Sequence, residues 1–199
     1  MPKPDSESRI ANAAFRLLAE NAWNETTLAS VARAAKLSWD DVQKAAPSRA
    51  ALVGLMIRRA GAETARRYRP ERAPQSARDR LFDVLMTWFD VQSSRKAAIR
   101  SLYDGLAKEP LTLLSLRGEI AAGAEWLLAL AEADCGAAAP VRAACIGGIM
   151  AHALPVWFED DAELGKTMAQ VDRDLKRVER FLRLAPKSRA RARRKSRPR

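Results

Sequence analysis

The stretch TTLASVARAAKLSWDDVQKAAPSRAALV, Thr26 to Val53, decides how the chain is read. Thr26 or Thr27 can accept a bond from an orphan backbone N–H, opening a helix that buries Leu28, Val31, Ala32 and Ala35. After a break at Lys36 and Leu37, Ser38 forms a capping-box variant with Asp41. The spacing predicts a second short helix over Trp39–Ala45, ended by Pro47. Ser48 then caps a long helix from Arg49 to about Tyr68. Two short helices across a tight turn have the layout of a helix-turn-helix, whose second member lies in the major groove of DNA.

Working outward, the periodicity stays helical. Upstream, Ile10, Ala13, Ala14, Leu17 and Leu18 paint one face of a helix that Ser8 can cap. Downstream, RPERAP (Arg69–Pro74) reads as a stiff hinge. LFDVLMTWF (Leu81–Phe89) is apolar almost all round, which suits the middle of a bundle. Further helices are expected over Arg95–Lys108, over Leu111 to about Asp134 with Gly136 closing it, and over Val141–Trp157 with Pro155 ending or bending it. Leu164, Met168, Val171, Leu175, Val178 and Phe181 or Leu182 form a sustained final stripe. No segment has the period-two alternation of a strand, so the expected fold class is all-α, with about nine helices.

The 199 residues carry a formal net charge of +11, and KSRARARRKSRPR (Lys187–Arg199) holds eight basic and no acidic residues. Such a tail repels itself and lacks apolar residues, so disorder is expected there. It is either an unspecific anchor to nucleic acid or acidic lipid, or a solvated tail in an arginine-biased chain. Cys135 and Cys145 have no further Cys or His near them, which leaves a metal site short of ligands. With no signal-like start, a cytoplasmic location is expected. The longest apolar run, Ile120–Ala131, is about twelve residues and contains Glu125, so no membrane span is expected. Without a phosphate loop or a histidine other than His152, catalysis is not expected, and neither is a cofactor.

Across the helix pair, the PSRAAL segment and the helix layout up to about Leu184, the chain resembles the TetR family of one-component regulators. The resemblance implies an N-terminal DNA-binding domain, a C-terminal ligand-binding and dimerisation domain, and release from an operator when a small molecule binds. The matching organisation is a helix-turn-helix domain over residues 1–54, a helical ligand-binding and dimerisation domain over 55–185, and a disordered basic tail over 186–199. The chain keeps Thr27, Ser38, Pro47, Ser48, a basic Arg49 and Leu52 of the family pattern. It departs at Lys36, where a turn glycine is usual. It departs again at Asp40 and Asp41, and at Gln43, Ala45 and Ala46, which replace Tyr, His and Phe.

The DNA-binding candidates are therefore Thr27, Lys36, Ser38, Trp39, Gln43, Lys44 and Arg49. Lys36, Lys44 and Arg49 suit phosphates, Gln43 suits adenine, and Trp39 suits a sugar or a thymine methyl. Asp40 and Asp41 favour the helix start but turn negative charge toward the phosphates. The motif is then either a DNA reader or a fold element alone. A second stretch, Arg78 to Leu182, is similar to a TetR-fold branch whose members serve ubiquinone biosynthesis as lipid-binding accessory proteins; in that branch DNA reading can be absent.

In the body, Met86, Trp88, Phe89 and Trp126 either line a hydrophobic pocket for an apolar small molecule or lipid, or simply pack the core. His152 either touches that ligand or sits satisfied at an interface. Val141, Cys145 and Gly148, beside small residues that admit a close helix, are candidates for a homodimer face with Val171, Leu175, Val178 and Phe181. The expected function is a transcriptional regulator that binds a double-stranded operator under the control of an apolar ligand.

Overall fold

In a computed structural model of the chain, residues 6–70, 76–133 and 139–184 are described, Ala139 and residues 181–184 as backbone alone. Hinge residues 71–74, Cys135, Gly136 and the basic tail lie outside them, as does the side chain of Phe181. Among the described residues there are ten α-helices and no strand: α1 (Ser6–Glu20), α2 (Leu28–Ala35), α3 (Trp39–Ala45), α4 (Arg49–Arg67), α5 (Ala77–Gln92), α6 (Lys96–Leu106), α7 (Pro110–Ser115), α8 (Arg117–Leu130), α9 (Ala139–Phe158) and α10 (Gly165–Leu184). Short 3-10 turns, Trp23–Glu25 and Ser93–Arg95, precede α2 and α6.

Side-chain caps start four of these helices, α2 to α5, the first three where the sequence marks them. Thr27 and Ser30 form a reciprocal capping box at α2, and the hydroxyls of Ser38, Ser48 and Ser76 accept from the third N–H of α3, α4 and α5. Four boundaries differ from expectation. α1 begins at Ser6, which puts Ser8 inside its first turn. The long helix expected from Leu111 is broken at Leu116, which is fully buried among residues of α1–α4 and so holds α7 and α8 apart. α8 closes at Leu130; Glu132 takes φ 50°, and Arg80 donates to the carbonyls of Ala131 and Glu132 at 2.8 and 3.0 Å. Finally, α9 runs past Pro155 to Phe158.

Two apolar clusters hold the chain together. One joins α1–α4 and takes in Ala98 and Leu106 of α6 and Leu116, so the body helix α6 shares the core of the N-terminal head. The other gathers α5, α8, α9 and α10 around Phe89 and Trp157, both fully buried. Each such ring contributes roughly 1.5–3 kcal/mol by leaving water. Between head and body, α4 and α8 approach through glycines: a Cβ on Gly61 would touch the Trp126 ring at 3.2 Å, and one on Gly123 would lie 2.6 Å from Ile57 Cγ2.

Over Pro140–Phe158, α9 is long and apolar enough to cross a bilayer, with 19 residues at mean hydropathy 1.4, and 28% of that window is buried within the chain. The absence of a span was expected from uninterrupted apolar runs, which stop short of this helix because its small residues and His152 dilute them. Here α9 packs between α8 and α10, burying Ala143, Ile146, Ile149, Ala153 and Trp157.

Candidate nucleic-acid interface and ligand region

α3 turns one residue inward: Val42 is fully buried, whereas Trp39, Asp40, Asp41, Gln43 and Lys44 are exposed, Trp39 by 53%. A seven-residue helix can anchor through a single side chain because α1 and α2 brace it on either side. α2 is fixed in turn at its C-terminus, where Arg9 donates to the carbonyls of Ala35 and Lys36 at 2.7 and 2.8 Å, and Arg16 to that of Ala34 at 2.8 Å. These guanidiniums satisfy carbonyls that the helix end leaves open and oppose its negative dipole end. Lys36 itself adopts φ 53°, ψ 47°, the left-handed conformation that a turn glycine takes without cost.

The acids of α3 are occupied locally. Lys44 Nζ lies 2.6 Å from Asp40 Oδ2, and the Ser38 hydroxyl donates to Asp41 Oδ2 at 2.7 Å. That hydroxyl foremost holds the Asp41 carboxyl below the usual range; slight burial opposes it, while the Ser38 backbone, Lys44 and Arg9 help.

Arg49, in the first turn of α4, is turned toward the body. Its guanidinium lies 3.9 Å from the centre of the Trp23 ring and donates to the Trp23 carbonyl at 2.7 Å. It also meets Glu109 Oε1 at 3.4 Å. Thr27, Trp39 and Arg49 border one open groove of about 320 Å³, so three of the seven DNA candidates share a surface. Ser38 is committed to capping, Lys44 to Asp40, and Gln43 stands exposed on the outer face of α3.

The ligand candidates fall in three places. Trp88 and Phe89 stack edge-on at 5.2 Å and tilt against Trp157 at 6.0 and 5.5 Å, in a filled aromatic cluster. Met86 packs beside it and borders an open cavity of about 420 Å³ with Arg67, Asp83, Asp90, Glu163 and Met168. Trp126, 37% exposed, lies instead over Gly61 of α4, because its helical phase directs it away from α5. His152 is elsewhere again, with Nδ1 2.8 Å from Asp174 Oδ2 and 3.0 Å from Gln170 Nε2.

The expected dimer residues also divide. Val141 and Gly148 are exposed on α9 and Cys145 is half-buried. Val171 and Leu175 are buried in the core of one chain, and Val178, half-buried, packs against it. The periodic stripe reports an apolar helix face without saying which helix covers it, and α5 and α9 do so here.

Polar groups on α10 and just before it are sealed in this packing. Asp160 accepts from the Thr167 N–H and hydroxyl at 2.7 and 2.8 Å, and Asp174 is ringed by His152, Gln170 and Arg177. Asp174 lies 22 positions from His152, a separation that hides this grouping from local patterns.

No protein-family model matches the chain, and no curated protein does. Among solved structures, a TetR transcriptional regulator from Rhodococcus sp. RHA1 superposes with a TM-score of 0.63 at 13% identity, covering 92% of this chain and 97% of that one. A TetR transcriptional regulator from Nitrosomonas europaea gives 0.62 at 13% identity, covering 91% and 100%. Likeness over nearly the whole length at so low an identity is a likeness of architecture. The chain has the all-α fold of the TetR-family transcriptional regulators.

Proposed function

We propose that the chain is a DNA-binding transcriptional regulator that works in the cytoplasm as a homodimer and is controlled by an apolar small molecule. The observation that carries this reading is the outward face of α3, where Trp39, Gln43 and Lys44 are presented to solvent beside the groove at Thr27 and Arg49. The fold shared with the two regulators supports it. For the dimer, support comes from α9, whose exposed Val141, Ala144, Gly148 and Ala151 form a stripe of small residues open to a second copy. Ligand binding beside α5 would shift α4 and α6, and with them the distance between two reader helices that must match half-sites about one helical turn apart.

A mobility shift on the DNA upstream of the protein's own gene tests the reading, with the full chain and with Lys187–Arg199 deleted so that the tail is not mistaken for the reader. A shift that survives the deletion and competition by unrelated duplex is expected; none in either form would end the proposal. Sedimentation tests the dimer. A side chain at Gly148 meets nothing within 4 Å in its own chain, so Gly148→Gln is expected to fold and to sediment as a single subunit.

A second reading, a lipid-binding accessory protein of the same fold, is favoured by one observation: Leu111 and Leu114 on α7 are 82% and 61% exposed. Lipid recovered with the purified chain, together with no operator shift, would select it.

A further inference from the structure

One guanidinium stands between the groove and a carboxylate at the junction of head and body. Arg49 borders the groove beside α3 where the DNA backbone is proposed to run, yet its charge is engaged by Glu109. Glu109 stands just before α7, on the joint that follows α6. Ser101, Gly105 and Glu109 recur at intervals of four, so α6 and its exit present them along one line to the head. Ser101 donates to the Asn21 carbonyl at 2.9 Å, and Gly105 approaches Trp23 so closely that a Cβ there would lie 2.3 Å from Trp23 Cβ. Glu109 completes the line at Arg49, its second oxygen accepting from the Thr112 hydroxyl at 2.9 Å.

Foremost that hydroxyl, with the Trp23 indole and Arg49 also favouring the charged form and slight burial opposing it, holds the Glu109 carboxyl below the usual glutamate range. The group at Arg49 is therefore an anion at neutral pH. A carboxylate and a phosphate present similar oxygen pairs to the planar guanidinium fork, which makes them rivals for it.

We infer that Glu109 is an internal stand-in for a DNA phosphate: it holds Arg49 against Trp23 while the head is off DNA, and yields it to the backbone when the α6–α7 joint moves. The inference rests on the DNA-binding reading above. It makes the joint at residues 107–110 the place where a change in the body reaches the DNA-facing surface, through one ion pair.

Binding of the full chain to a fluorescent duplex, followed over a range of salt, tests it. The basic tail is common to every variant and cancels in the differences. Glu109→Gln removes the rival charge, and Glu109→Asp keeps the charge but withdraws it by one methylene. Both are expected to raise affinity about three- to tenfold at low salt and to steepen the log–log salt slope by about 0.9, the signature of one more phosphate contact. In an Arg49→Gln background neither should have any effect. Thermal melts establish that each variant is folded.

An equal gain in the Arg49→Gln background would overturn the latch, since it would mean general charge repulsion; so would an unchanged slope in a wild type that binds operator. If no variant shifts the operator over unrelated duplex, the DNA-binding reading itself falls. Operator binding gained only by the Glu109 variants would support the latch in its strongest form.

Discussion

On the outer face of α3, Lys44 reaches back one turn to Asp40, with Nζ and Oδ2 2.6 Å apart and both side chains more than 70% exposed. An exposed pair of this kind adds only about 0.3–0.5 kcal/mol to the helix. Its larger effect is electrostatic: the cation best placed for a phosphate comes with its own anion. Asp40→Ala should therefore barely change stability while raising duplex affinity about three- to tenfold at low salt. Fluorescence anisotropy at fixed salt measures this, and an unchanged affinity would mean that α3 does not face DNA.

Lys36→Gly should stabilise the chain. A left-handed backbone costs an ordinary residue roughly 1–2 kcal/mol, and glycine returns part of that through its freer unfolded state, leaving a gain of about 0.5–1 kcal/mol. Lys36 sits at φ 53° in the turn between α2 and α3, and its carbonyl remains available to Arg9 after the change. Urea unfolding monitored by circular dichroism gives the sign. A loss of stability would show that the lysine side chain contributes more than its backbone costs.

Two glycine-to-alanine changes should have opposite effects. At Gly105 the new Cβ meets Trp23 Cβ, an atom close to the backbone that cannot swing aside, so about 1–3 kcal/mol should be lost as α6 is pushed off the head. At Gly118, early in α8, nothing lies within 4 Å, and alanine should gain up to about 1 kcal/mol from helix preference alone. Melting temperatures of the two variants should fall on either side of wild type. Equal shifts would mean that the contact of α6 with Trp23 is loose.

Acid should weaken the start of α10 through Asp160. Burial pushes its carboxyl up, but the N–H and hydroxyl of Thr167 and the Asp161 N–H outweigh this, so the folded value lies below the ordinary one. For a carboxyl lowered on folding, the stabilisation is complete above the unfolded value and is lost as pH falls through the folded one. Asp160→Asn should therefore be less stable than wild type at neutral pH, by about 1 kcal/mol as for a lost cap, with the gap closing below about pH 4. A gap independent of pH would assign the loss to packing.

The helix starts were legible because a cap is a local event. Ser38, Ser48 and Thr27 each bond a backbone N–H three residues on, so sequence order alone brings the partners together. The all-α class and the phase of each apolar face follow from the same short range. What covers a face is decided by chain segments tens of residues away, and there tertiary packing ruled. It buried Val171 and Leu175 within one chain, laid Trp126 over Gly61, and broke the helix at Leu116 to seat that side chain in the head. It also paired Arg49, at the edge of the groove, with Glu109, sixty positions along the chain. A side chain's type states what it can bond; only the fold states which bond is within reach.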